Sequence, residues 1–172
     1  IIILWAIAAY NRLITLGNKT DEAWSDIDVQ LKRRYDLIPN LVSTVKGYAT
    51  HESTAFENVT KARSAAMGAQ TPAAKGQAET TLAGALKSVF AIAEAYPELK
   101  ANQNFMSLQA DLTDTENKIE MARRYYNGNV RDLNNAVQHF PGNLIARSVG
   151  VSTREFFQLD NDAAKQPVEV KF

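Results

Sequence analysis

Histidine is the side chain whose charge changes near neutral pH, and it is the commonest protein metal ligand. This chain has two, His51 and His139, and no cysteine. Disulfides, thiolate metal sites and a cysteine nucleophile are therefore excluded. His51-Glu52 opens like the helical zinc motif H-E-x-x-H. The position of the second histidine is held by Ala55, with Phe56 next to it, so the motif fails. A di-iron bundle needs a glutamate three residues before each histidine. Those places hold Tyr48 and Ala136. Gly76 and Gly84 are not followed by Gly-Lys-Ser/Thr, so there is no phosphate loop, and no G-x-S-x-G elbow occurs. The sequence thus names no catalytic, metal-binding or cofactor-binding residue, and it implies no cofactor. A hydrolase using carboxylates or one histidine in a bundle pocket is the alternative reading.

The remaining polar groups of interest lie around Pro39. Arg33, Arg34 and Asp36 precede it and Asn40 follows. Arg34 lies nearest the apolar stripe of its helix. The sharper reading ties it to a carboxylate on a neighbouring helix, with Glu116 the best partner, or to carbonyls freed by Pro39. The blander reading is a solvated face with pairs one turn apart, such as Asp28–Lys32. Arg33, Arg34, Asp36, Asn40 and Glu116 are the candidate structural polar cluster. Asp111, Asp114 and Glu116 are paired acids on one helix, and solvation explains them better than catalysis. Tyr35, Tyr48, Tyr96, Tyr125 and Tyr126 could form a partner surface, but aromatics at helical spacing are more often core.

The elements that carry these residues are helices. From Asp21 to Ala66, apolar residues recur three or four apart: Trp24, Ile27, Leu31, Tyr35, Ile38, Leu41, Val45, Tyr48, Phe56 and Val59. Glu52 fills the one missing step. That spacing makes a single apolar stripe on a helix, which other helices must cover. Pro39 removes one backbone hydrogen bond, so a kink or break is expected near Leu37-Ile38. Met67–Gly76 reads as a loop and Gln77–Ala95 as an Ala-rich helix ended by Tyr96-Pro97. Pro97 opens the next helix. From about Glu98 to His139, Phe105, Leu108, Leu112, Thr115, Ile119, Ala122, Tyr126, Val130, Leu133, Val137 and Phe140 alternate three and four apart, as in a coiled coil. Pro141-Gly142-Asn143 stops that helix. A short apolar helix ends at Gly150. Ser152-Thr153-Arg154-Glu155 is expected to cap one more turn, whose Phe156 and Phe157 plug an end of the bundle. The tail from Gln158 is polar and then alternates as PVEVKF.

The chain begins IIILWAIAAYNRL, with nine apolar residues before Tyr10 and no initiator Met. About 20 residues are needed to span a bilayer. The expectation is the last turns of a transmembrane helix whose beginning precedes Ile1. Trp5, Tyr10 and Arg12 would lie at the membrane interface, rings in the headgroups and guanidinium in water. The alternative is a buried N-terminal segment. Gly17-Asn18 is the weak point after it, where Thr20 or Asp21 could start a new helix. Arg12, Lys19, Lys32, Arg33 and Arg34 lean toward a cytoplasmic bundle by the positive-inside bias.

The 172 residues suffice for one domain with a core. Lys plus Arg and Asp plus Glu both number 19, so the net charge is zero. That balance does not fit a nucleic-acid binder, which needs a basic surface, and no nucleic-acid partner is expected.

Three stretches in order carry a resemblance: YNRLITLGNKTDEAWSDIDVQLKRRYDLIPNLVSTVKGYATHE, then AEAYPELKANQNFMSLQADLTDTENKIEMARRYYNGNV, then FPGNLIA with a later EFF. Together they resemble the LemA family of bacterial proteins, from about Tyr10 to Phe157. The resemblance implies one N-terminal membrane-spanning helix followed by a helical bundle, a bacterial source and a membrane location. It supplies no catalytic residue. The chain departs from it only in details such as Gly17-Asn18, where relatives often carry Arg-Asn.

The expected architecture is all-α: an elongated antiparallel bundle of about three long helices, preceded by an N-terminal transmembrane helix. Residues 1–16 would be the end of the membrane helix, 17–157 the bundle, and 158–172 an extended tail. The expected function is a non-enzymatic, membrane-anchored scaffold or adaptor of the bacterial envelope, single-pass in the cell membrane. Its partners would be membrane lipid through the N-terminal helix, other copies of itself, and other envelope proteins. A lipid-binding or membrane-bending module is a further alternative, weakened by the neutral charge.

Overall fold

A computed structural model describes residues 1–159, and everything described is helix, turn or connecting segment, with no strand among those residues. Six helices follow one another: α1 (Ile2–Lys46), α2 (Ser53–Gly68), α3 (Pro72–Glu94), α4 (Pro97–Lys100), α5 (Gln103–Gln138) and α6 (Gly142–Val149). The all-α class stands, but the three long helices of the sequence reading become six. The alternating tail PVEVKF lies outside the described residues.

Several boundaries differ from the expectation, each for a local reason. The organising helix does not run to Ala66. It ends at Lys46, and a turn over 47–52 precedes α2. The amides of Tyr48 and Ala49 both reach back to the carbonyl of Val45, which closes the helix. Pro39 neither ends nor breaks α1, which passes through it. Its ring is exposed, so it displaces no packed side chain. Thr20 starts no new helix: its hydroxyl donates to the carbonyl of Leu16 at 2.8 Å, inside α1. The loop of Met67–Gly76 shrinks to three residues, because Thr71 caps α3 through its hydroxyl (Ala74 N–H, 3.2 Å) and Pro72 takes the first helical position. The helix of Glu98–His139 divides after Lys100. Asn102 then caps α5, accepting the amide of Phe105 at 3.0 Å. The apolar start is the first turns of α1 itself. No helix among the described residues is long and apolar enough to cross a membrane, so a preceding transmembrane helix is not found there.

The chain divides into two compact units. The first comprises Ile1–Leu37 and Leu108–Phe156. In it α1 and α5 run antiparallel, as the pairings Trp24 with Tyr126 and Arg34 with Glu116 show. Leu13, Ala23, Ile27, Leu31 and Tyr35 of α1 are buried, as are Leu112, Thr115, Ile119, Tyr126, Val130 and Leu133 of α5. Each fully buried Leu or Ile contributes about 1.5–3 kcal/mol of transfer free energy. Helix α6 adds Ala146 to this core and ends at Gly150, whose φ of 72° is the left-handed cap that glycine adopts freely. Phe140, placed in the apolar seam by its spacing, is instead 79% exposed, because α5 has already ended at Gln138.

The second unit comprises Ile38–Ser107 and, among the described residues, 157–159. Its core is Ile38, Leu41, Val45 and Ala49, with Phe56, Val59, Ala62 and Ala66 of α2 and Leu82, Leu86, Val89 and Ala93 of α3. Phe90 and Phe105 meet edge to face, with ring centroids 6.2 Å apart. The expected extra turn at 152–157 does not form. The segment over 151–159 is extended or irregular, and of its two phenylalanines only Phe157 is buried. Gly76 lets Gln158 approach α3. A Cβ at that glycine would stand 2.0 Å from the carbonyl oxygen of Gln158.

Candidate functional site

The polar cluster around Arg33 and Arg34 is the densest ionic arrangement in the first unit. Arg34 Nη1 donates to Glu116 Oε2 at 3.0 Å, with the arginine side chain only 5% exposed and the glutamate 50% exposed. Arg33 reaches Asp114 at 3.2 Å and Asp111 at 3.8 Å on the surface of the same seam. Lys118 holds the same Asp114 from one turn away at 2.8 Å. The hydrogen bond from Lys118, reinforced by the charge of Arg33, keeps the Asp114 carboxyl below its ordinary value. Asp36 turns away and pairs with Lys32 at 2.9 Å. Asn40 falls in the second unit, where its side chain is exposed and its backbone carbonyl accepts the hydroxyl of Thr44. Three of the five candidate residues therefore share one seam, and Asp36 and Asn40 stand apart from it. The geometry is that of an electrostatic clasp between two helices.

A second polar junction escaped the sequence reading. Asn134 on α5 grips the backbone of Arg154 twice, donating to its carbonyl at 3.0 Å and accepting its amide at 2.8 Å. Arg154 Nη2 reaches Asp21 at 3.3 Å. The hydroxyl of Tyr126 donates to the carbonyl of Glu155 at 2.8 Å. Burial drives the Tyr126 hydroxyl up to about 12. These side chains strap the 151–156 segment to the helix pair. The S-T-R-E pattern caps no helix, and nothing local in the sequence announces the strap.

Both histidines lie on the surface. His51 is exposed in the turn before α2. His139 is exposed too, and its ring nitrogen lies 2.7 Å from the carbonyl of Asn135. It borders a cleft of about 330 Å³ between the start of α1 and the α5–α6 corner, lined by Trp5, Arg12 and Phe140 among others and by no Asp or Glu. Among the described residues, no group of three His, Asp or Glu side chains could hold a metal ion. In the second unit a shallow cleft of about 560 Å³ lies between α2 and α3, walled by small residues such as Ala62, Ala65, Gly84 and Ala85 with Lys61 at its side.

The three residues read as a membrane interface are all on the outside of α1. Trp5, Tyr10 and Arg12 are exposed, within a run where Ile2, Ile3, Leu4 and Ile7 are exposed as well. This is the largest stretch of apolar surface among the described residues, and single exposed apolar residues elsewhere do not compare with it.

Comparison with known proteins adds three observations. The model of the LemA family matches residues 23–172. Magnetosome protein MamQ 2 and magnetosome protein MamQ 1 of Paramagnetospirillum magneticum are each 23% identical over 185 residues, covering 92% of this chain and 68% of theirs. Protein LemA of Metamycoplasma hominis is 24% identical over 152 residues, covering 86% of this chain and 68% of its own.

Proposed function

This chain belongs to the LemA family, and on that premise we propose that it is a non-enzymatic scaffold or adaptor of the bacterial envelope. It is held at the cell membrane by the apolar start of α1 and acts through self-association or through other envelope proteins. The observation that carries this reading is the exposed apolar run Ile2–Ile7, which water does not tolerate as an open surface of this size. The matched relatives that are named magnetosome proteins are in keeping with a role at a bacterial organelle or envelope. Self-association draws support from Met121 and Tyr125, exposed one turn apart on α5.

The test is expression of the full chain in a bacterium, followed by fractionation, cross-linking in intact cells and mass spectrometry. The expected result is protein in the membrane fraction, with cross-links between copies or to membrane proteins. Protein that stays in the supernatant after lysis would overturn the membrane assignment. Uncross-linked monomer in the membrane, together with a defect caused by His51→Ala or His139→Ala at normal protein levels, would favour the hydrolase reading.

A further inference from the structure

The membrane-facing surface of this protein does not end with α1. The cleft that holds Trp5, Ala8 and Arg12 on one side is closed on the other by His139, Phe140 and Pro141. The α5–α6 corner thus stands level with the part of α1 that carries the aromatic and basic residues of a membrane interface. The corner has its own apolar surface: Phe140 is 79% exposed and Leu144, on the outer face of α6, is 58% exposed. Ala146, on the opposite side of the helix from Leu144, turns inward to the core. A corner of this kind, with Phe140 and Leu144 both left uncovered by its own unit, favours an interface over water.

The charges around this corner identify what covers it. No Asp or Glu occurs in residues 1–20 or in residues 133–154. The same two segments carry Arg12, Lys19, Arg147 and Arg154. Arg154 is engaged by Asp21. Arg12 and Arg147 flank the corner, both on exposed positions. The chain as a whole is neutral, so this end is basic only because its acids lie elsewhere. Exposed rings, cationic side chains and no carboxylates complement an anionic lipid surface: rings enter the headgroup layer, and each nearby cation is drawn to a negative leaflet.

We propose that the α5–α6 corner, with Phe140, Leu144 and Arg147 at its surface, is a second membrane contact that enters the headgroup layer of anionic lipid beside the start of α1. The contact rests on the membrane reading above. It gives the first unit two points of attachment, which restrains its tilt at the membrane where α1 alone would let it pivot.

The chain has no cysteine, so single cysteines can be placed and labelled with an environment-sensitive fluorophore. Three full-length variants are compared: Ile3→Cys on the apolar run, Leu144→Cys on α6, and Met121→Cys on exposed α5 as the outgroup. Each is reconstituted into phosphatidylcholine vesicles with and without phosphatidylglycerol, using lipids that carry a spin-label quencher near the headgroup. The expected result is loss of emission at positions 3 and 144 and none at 121, with the loss at 144 greater when phosphatidylglycerol is present and reduced by Arg147→Gln. Quenching at 3 without quenching at 144 overturns the second contact and leaves the membrane reading intact. Quenching at neither overturns both. Equal quenching at 121 and 144 also overturns the proposal, since the bundle would then lie flat. A blue shift at 144 without lipid quenching assigns the corner to a protein partner and overturns it as well. Phe140→Ser with Leu144→Cys checks the fold: unchanged helical circular dichroism with lost quenching supports the contact, and retained quenching counts against Phe140 as its anchor.

Discussion

Arg34 lies almost wholly inside the seam of α1 and α5, yet Glu116, which meets it at 3.0 Å, remains half in water. The pair is asymmetric. The cation has given up its hydration and the anion has not, so the two ends of the bond differ in what their removal costs. Glu116→Ala takes away a charged acceptor from a buried donor, which costs about 1–3 kcal/mol. Arg34→Met removes the buried charge together with its need for a partner and keeps most of the packing volume. The expected order of urea midpoints is wild type and Arg34→Met close together, with Glu116→Ala lower. Equal loss in both variants would mean that the arginine holds the seam chiefly through its charge.

Tyr126 couples the core to alkaline pH. Its ring is 5.1 Å from that of Trp24, and its hydroxyl serves the carbonyl of Glu155. Its ionisation is raised from the ordinary 10.0 to about 12 by burial. A raised value stabilises the folded form while the group is protonated in both states. That contribution is full below pH 10 and is lost as pH rises through about 12. Stability is expected to fall over that window, with tyrosinate absorbance and Trp24 fluorescence changing together. Tyr126→Phe is expected to remove this alkaline component and to cost about 0.5–1.5 kcal/mol at neutral pH.

Asp114 gives the opposite sign at acid pH. Its carboxyl lies below the ordinary 3.8, first because Lys118 donates a hydrogen bond and then through the charges of Lys118 and Arg33. A lowered value stabilises the folded form above 3.8, and this is lost as pH falls through the folded value. The carboxyl is exposed, so the effect on stability is small and screened by salt. The sensitive measurement is a carbon-detected nuclear magnetic resonance titration. Lys118→Met is expected to bring Asp114 back up toward its ordinary value. An unchanged titration would leave the Lys118 bond without effect in solution.

Gly76 and Gly84 offer a controlled contrast on one helix. Both are inside α3, where alanine is favoured over glycine by about 1 kcal/mol. A Cβ at Gly84 meets nothing within 4 Å, so Gly84→Ala is expected to stabilise by roughly that amount. A Cβ at Gly76 would stand 2.0 Å from the Gln158 carbonyl oxygen, a backbone atom that cannot rotate away. Gly76→Ala is therefore expected to destabilise and to lift the segment that carries buried Phe157. Faster hydrogen exchange and protease cleavage around 157–159 in Gly76→Ala, absent from Gly84→Ala, would show it.

Much of this architecture was legible in the residues. Ile27, Leu31, Ile38 and Leu41 on α1, and Leu112, Thr115, Ile119 and Tyr126 on α5, fall on their stripes by spacing alone, and all are buried. Glu52 was the one non-apolar step in the first stripe. It is also where that stripe changes helix, since Glu52 is the residue that precedes α2. Pro39 was the stronger local breaker, yet α1 passes through it. Helix-breaking tendencies are small beside the burial of several large side chains on the same face, and that balance is not local.

The sequence by itself determined the helical class, the buried stripes of α1 and α5 and the want of any catalytic motif, because an apolar period near 3.6 residues and the spacing of ligands are written along the chain. Only the tertiary structure decided that Asn134 and Tyr126 strap the segment after α6, that Gly76 admits Gln158, and that Phe140 stands beside Trp5. Each of these joins residues far apart in the chain. Such contacts are chosen by how whole faces pack together, and no short stretch of residues encodes them.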